Sequence, residues 1–286
     1  MPKNLNNLLL LVLLLLGQIS VKGQIITGSI TDFETKKPLP YVHIGVKNTS
    51  KGTIAEDDGS FSIDLTGLDD QNTLHFSFLG YEDYELIIKH IGKFPLVVQL
   101  KPLPFTLSEV VVTDKKKAYR NIKLGNYKNS STTMGKSGDD EFGWGGEWGI
   151  IIPKHTKPYQ LKDIQFHLRW NTVDSVLFRV NVHQVDHNLP VKSKLRTPAF
   201  VTARPNEKWI SLDLLDRNLM IEEDIAVTFE WVRIWYADEG KNLLFFSHAK
   251  RNTYDVVHTE RSFSGWKLNR RPPPAIYVNG LVEKER

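Results

Sequence analysis

The chain contains no cysteine. That excludes disulfides, thiol catalysis, cysteine–zinc sites and the lipid-modified cysteine of a lipoprotein. An excess of one charge sign is lacking as well: 37 Lys and Arg stand against 33 Asp and Glu, a formal net +4. Such a balance argues against a dedicated nucleic-acid binder, which would carry a basic face. Long apolar runs are scarce. Leu8–Leu16, nine residues, is the longest, and it falls far short of the ~20 needed to span a bilayer. With Lys3 before it and the small Val21 and Gly23 after it, the run reads as a secretory leader over residues 1–23, leaving Gln24 as the mature N-terminus. Lys3 and Lys22 leave with it, so 35 basic residues face 33 acidic ones, a net +2. The expectation is an exported chain with no transmembrane span that is held together by its core.

Helical periodicity is also missing, since no window keeps a 3.6-residue apolar repeat over ten residues. Period two is everywhere instead. Val42, Ile44 and Val46 alternate with His43 and Lys47; Phe61, Ile63 and Leu65 alternate with Ser62 and Asp64; Leu74, Phe76 and Phe78 repeat the pattern. This is the mark of half-buried antiparallel strands. Gly52, Asp58-Gly59, Gly67, Asp69–Asn72, Gly80 and Gly92 punctuate the runs, a spacing that indicates a sandwich or barrel of about seven short strands.

The order of phrases over residues 28–100 is specific. Gly28-Ser29-Ile30-Thr31-Asp32 is followed by Pro38-Leu39-Pro40-Tyr41-Val42, then Lys51-Gly52-Thr53, Asp58-Gly59-Ser60-Phe61 and Phe76-Ser77-Phe78-Leu79-Gly80-Tyr81. This succession resembles the carboxypeptidase-regulatory-like domain, a small transthyretin-like β-sandwich of exported proteins in Gram-negative envelopes. The resemblance implies an accessory module with no chemistry of its own. Leu107-Ser108-Glu109-Val110-Val111-Val112-Thr113 resembles the phrase that joins the same module to the plug of TonB-dependent outer-membrane receptors. No plug phrase follows, and what remains is too short for such a barrel at about ten residues per strand, so the chain is not expected to be a receptor itself.

Lys115-Lys116-Lys117, Arg120, Lys123, Lys128 and Lys136 sit among Asn129-Ser130-Ser131-Thr132-Thr133 with no sustained period, so residues 101–141 read as a basic, polar linker. Alternation returns afterwards. Ile164, Phe166 and Leu168 alternate with Gln165 and His167; Val176, Phe178, Val180 and Val182 with Arg179, Asn181 and His183; Ile225, Val227, Phe229 and Trp231 continue the theme. The fold class expected is therefore all-β: a signal peptide (1–23), a seven-stranded sandwich (24–100), a linker (101–141) and a jelly-roll-like sandwich of eight to nine strands (142–286).

Catalytic signatures fail in turn. No histidine is followed by Glu at the His-x-x-Glu spacing of a zinc carboxypeptidase, and His-Glu-x-x-His is absent. His183 and His187 share a strand face about 13 Å apart at ~3.3 Å per residue, too far for one metal unless a turn intervenes. Gly-x-Ser-x-Gly is missing, and Gly143-Trp144-Gly145-Gly146 precedes a strand where a phosphate loop needs a helix. Glu147, Glu230 and Asp213 are formal candidates for a glycosidase carboxylate pair, with nothing to single them out.

One feature has functional colour. All seven tryptophans lie after residue 143, and around Glu230–Tyr236 both faces of one strand are bulky. That implies double-sided burial, a bulge, or an aromatic surface on which a sugar ring could stack. The expected ligand contacts are Trp144, Trp231, Arg233, Trp235 and Trp266, with no catalytic or metal-binding residue and no cofactor. The function expected is a non-enzymatic contact or scaffold protein of the envelope: periplasmic, outer-membrane-associated or extracellular. Its partner would be an envelope protein or a glycan and not nucleic acid. A hydrolase with an unrecognised site is the remaining alternative.

Overall fold

A computed structural model of the chain describes residues 24–92, 95–104, 118–137, 145–237, 242–250, 254–269 and 272–284. The secretory leader, the Leu107–Thr113 phrase and Trp144 lie outside them. The described residues hold strands and two short 3₁₀ turns, and no helix among them is long and apolar enough to cross a membrane.

The N-terminal region holds seven strands: β1 (Ile25–Asp32), β2 (His43–Gly45), β3 (Gly52–Ile54), β4 (Ser60–Asp64), β5 (Thr73–Ser77), β6 (Tyr84–Ile87) and β7 (Leu96–Leu100). They make two sheets, ordered β4-β1-β7 and β3-β2-β5-β6, with β1 antiparallel to β4 and parallel to β7. The alternating residues do what their period demands: Ile44, Phe61, Ile63, Leu74 and Phe76 turn inward with Ile26, Ile30 and Val98 to form one apolar core. Seven short strands were expected here, and seven are present.

Fourteen strands follow: β8 (Tyr119–Gly125), β9 (Asn129–Ser137), β10 (Glu147–Ile152), β11 (Tyr159–Asn171), β12 (Ser175–Asp186), β13 (Leu189–Ser193), β14 (Phe200–Ala203), β15 (Trp209–Asp213), β16 (Met220–Ile221), β17 (Ile225–Trp235), β18 (Leu243–Ala249), β19 (Val256–His258), β20 (Lys267–Asn269) and β21 (Ile276–Glu283). One sheet runs β13-β12-β17-β10-β19-β20 with β14 beside β12. The other runs β8-β21-β11-β18-β9 with β15 and β16 beside β11. A second apolar core fills the space between them. At its centre Phe229 stacks on Phe166 at 5.0 Å and on Phe246 at 4.4 Å, while Phe178 and Trp148 meet the same cluster edge-on.

Two expectations need correction. The strand number exceeds eight or nine because β14, β16, β19 and β20 are only two to four residues long, too short to show a period. The basic stretch read as linker contributes β8 and β9. Both are edge strands, one at each end of their sheet. An edge strand pairs on one side only, and polar, lysine-bearing sequence there blocks further pairing. Its composition therefore imitates a tether, although Ile122 and Leu124 still pack onto the second core.

Candidate functional site

Between the two cores lies a seam of polar side chains. It is set up by the face of β12, β17 and β10 that points away from the sandwich core. Strand pairing puts Arg179 opposite Glu230 and Glu230 opposite Glu147, so two carboxylates and a guanidinium share one row. The next row holds Thr228 opposite Asn181, with His183 further along β12. Like charges directly opposite one another repel, and Glu230 has no solvent exposure, so this row needs cations.

Arg179 supplies one and also reaches into the N-terminal region. Its Nη1 lies 3.3 Å from Glu230 Oε2 and donates to His43 Nε2; its Nη2 donates to the Tyr41 carbonyl. The rings of Phe200 and Phe78 flank the guanidinium at 5.4 and 5.9 Å. Since an arginine can only donate, His43 Nε2 accepts, and its Nδ1–H is left to donate to Ser262 Oγ at 2.9 Å. The Ser262 hydroxyl then gives its own proton to the Thr53 carbonyl at 2.9 Å.

The resulting chain runs Arg179, His43, Ser262, Thr53. It has a serine, a histidine and, 3.3 Å from His43 Nε2, the Glu230 carboxylate, yet the proton order is wrong for a nucleophile. Ser262 is buried, and its proton points to a carbonyl rather than to a base.

Ser262 is wedged so closely that side chains are excluded around it. A Cβ on Gly52 would come within 2.3 Å of the Ser262 carbonyl oxygen. At Gly145, whose φ is +77°, it would lie 1.8 Å from Ser262 Oγ. Asn48 N–H donates to the Phe263 carbonyl beside it at 2.9 Å.

Glu147 is held differently. Its Oε2 accepts from Thr228 Oγ1 at 2.5 Å and pairs with His183 Nε2 at 3.0 Å. Burial alone would raise its pKa; the His183 charge and hydrogen bond, with the Thr228 hydroxyl, outweigh that and bring it down to about 2. Both the hydroxyl and the imidazole Nε2 meet the same oxygen, so the histidine does not stand between them as a relay would require. Glu147, Trp148, Trp231 and His258 border a cleft of 320 Å³ at the end of the sheet.

The residues expected to bind a ligand separate. Arg233 is an interface clamp, 2.7 Å from Asp57 and 3.6 Å from Glu56 of the N-terminal region, and its guanidinium lies 5.3 Å from the ring of Trp235, which is 37% exposed. Trp231 faces the sandwich core with its ring 5.9 Å from Phe246. The change of face between Trp231 and Arg233 comes from a β-bulge: opposite Leu177 and Phe178, Val232 has no partner. Trp266 covers the outer face, edge-on to His183 at 5.3 Å. Arg233 and Trp235 are thus brought together, whereas Trp231 and Trp266 lie on opposite faces of their sheet. Trp144 is outside the described residues. His187 sits in the turn after β12, exposed and paired with Asp186 at 2.9 Å, while His183 turns to Glu147, so the two histidines do not meet.

Sequence reasoning passed over His43, Arg179 and Ser262. Nothing local links residues more than 130 positions apart. The signal that was present is indirect: charged residues on the polar side of strands as long as β12 and β17.

A larger cleft of 700 Å³ opens beside the seam, between the β5–β6 turn (Phe78, Leu79, Tyr81) and the segment after β13, with Lys192 and Arg196 exposed on its lip.

Residues 26–112 match the family model of the CarboxypepD_reg-like domain. The match spans the seven N-terminal strands and stops before β8. Over 133 residues, 46% of the chain, the sequence is 31% identical to TonB-dependent receptor P3 of Formosa agariphila. That alignment takes in 12% of the receptor, so the chain spans a small fraction of this relative's length. A solved structure of infectious bursal disease virus, Gx strain, aligns over 91% of this chain and 63% of its own at 8% identity; with a TM-score of 0.26, the two folds are not equated.

Proposed function

We propose that the chain is an exported, non-enzymatic contact protein of the cell envelope, working through an envelope protein partner. The observation that carries this reading is the use made of its reactive side chains. Arg179, His43, Glu230 and Ser262 are consumed in joining the two cores, with a cleft beside the seam. The CarboxypepD_reg-like match and the partial likeness to a TonB-dependent receptor support an address at the envelope. Cross-linking of the tagged chain in intact envelopes tests it. One reproducible partner, lost when Lys192 and Arg196 on the cleft lip are changed to Glu, is the expected result. Recovery of no reproducible partner, or of one indifferent to those changes, would count against a contact role for that cleft.

A second reading, recognition of a glycan, is favoured by the placement of Trp148 and Trp231 around one small cleft. The hydrolase alternative has less support, since the two hydroxyl–histidine–carboxylate groupings both lack the order of proton acceptors that such chemistry needs.

A further inference from the structure

The 700 Å³ cleft beside the seam is apolar below and basic along one lip, and we propose that it takes an extended acidic segment of a protein partner; the proposal rests on the contact reading above. Its lining comes from both cores. Leu79 follows β5, Leu103 follows β7, Leu195 follows β13, and Leu219 leads into β16, which Met220 opens. Leu79 and Leu219 also pack onto the second core, whereas Leu103 is 45% and Met220 50% exposed. Large apolar side chains left in water within a concavity mark a docking surface.

Each part of this lining is tied down by backbone bonds. Leu103 N–H donates to the Gly80 carbonyl at 2.8 Å, Leu161 N–H to the Leu219 carbonyl at 2.8 Å, and Lys194 N–H to the Val182 carbonyl at 2.7 Å. Arg217 Nη1 donates to the Thr197 carbonyl at 2.9 Å and so pins the segment that follows β13. A fixed frame lowers the ordering cost of binding.

The charges are divided between the walls. Lys194 is spent within the chain, donating to Glu223 at 2.5 Å, where Gln184 also donates at 3.2 Å. Lys192 and Arg196, on either side of it, are exposed and have no carboxylate partner among the described residues. Asp83 stands across the cleft, in the connection between β5 and β6. It repels carboxylates placed on its own side and so directs them to the Lys192 and Arg196 lip.

This pattern selects among occupants. A small inorganic anion would suit the two cations and leave Leu103 and Met220 in water. A wholly apolar segment would cover those side chains and strip water from the cations without replacing it. An extended segment alternates its side chains between two faces, so apolar residues can lie on the floor while acidic ones reach the lip.

The test uses three fluorescently labelled peptides of about eight residues, an extended length of about 26 Å at ~3.3 Å per residue. One alternates Leu with Glu, one Leu with Lys, and one Ser with Glu. Anisotropy titrations of the purified protein should show saturable binding of the Leu/Glu peptide, with Kd near about 100 μM and weakening as salt is raised. The other two should bind at least about tenfold more weakly. The double variant Lys192→Glu/Arg196→Glu should reverse the preference toward the Leu/Lys peptide. Met220→Ser should weaken Leu/Glu binding with Tm unchanged, which separates a lost contact from a lost fold.

Equal binding of the Leu/Glu and Leu/Lys peptides, or a double variant indifferent to charge, would overturn the proposal. Binding to phosphatidylglycerol vesicles that the double variant loses, with no peptide bound, would overturn it in favour of a lipid surface. If no peptide binds but the partner cross-linked in envelopes is still lost from the double variant, the acidic segment is overturned and the contact reading stands. If no peptide binds and no such partner is recovered, both fall.

Discussion

The two outer faces of the sandwich are built by the same alternation and handle buried polarity in opposite ways. On β21 and β11, Asp163 accepts from Asn279 at 2.7 Å and from Gln165 at 3.2 Å, and the Tyr277 hydroxyl donates to Gln165 at 2.6 Å. These are neutral partners drawn from neighbouring strands, so this face satisfies itself. On β12, β17 and β10 two glutamates face each other. The Glu230 charge is met by Arg179 and the Glu147 charge by His183, and Arg179 in turn donates to His43 of the other core. A sheet face that carries like charges in register thus needs help from elsewhere in the chain, and the cover it obtains becomes an interface.

That contrast can be broken most sharply at Arg179. Arg179→Ala leaves Glu230 buried without its guanidinium and should cost about 3–5 kcal/mol in a denaturant melt, as removal of one partner of a buried pair does. Gly52→Ala comes next. Its Cβ meets backbone rather than a movable side-chain tip, and a loss of about 1–3 kcal/mol is expected with no change in charge. On the self-satisfied face, Asn279→Ala should cost only about 1 kcal/mol, because Gln165 still serves Asp163. Lys267→Ala, which removes a solvated ion pair, should cost less than about 1 kcal/mol. If Asn279→Ala proved as damaging as Arg179→Ala, the distinction between the faces would fall.

Acid sharpens the same comparison. The Glu147 carboxyl sits at about 2 in the folded chain against an ordinary 4.5, so the folded state favours its ionised form. Its contribution is fully present above about pH 4.5 and drains away as pH falls toward 2. Asp64 is also held at about 2, by its hydrogen bonds with Thr66 and by Lys51. The measurement is therefore a difference: stability of the unchanged protein minus that of Glu147→Gln should shrink as pH falls across this window.

Much of the fold was legible because alternation is a local property. Ile44, Phe76, Phe178 and Phe229 announce their inward faces within five residues of sequence, and the N-terminal phrases carry the module almost in order. Edge strands were not legible, since β8 and β9 are polar for the reason that they are edges. A chain cut at residue 142 would lose both strands and uncover Ile122 and Leu124's contacts with the second core. The seam was harder still. Arg179 and His183 looked like solvated residues because the sequence shows which way a side chain points and not what lies on top of it. Gly52 read only as turn punctuation and Gly145 only as part of a phosphate loop without its helix, because a glycine does not say what approaches it. Trp231 and Trp235 looked equivalent until the bulge at Val232 put them on opposite sides.

The central claim is that Arg179, His43 and Glu230 join the two cores into one cooperative body. Scanning calorimetry of the protein tests it most directly. The account predicts a single transition whose calorimetric and van't Hoff enthalpies agree, resolving into two in Arg179→Ala. Two independent transitions in the unchanged protein, with Arg179→Ala moving neither, would contradict it.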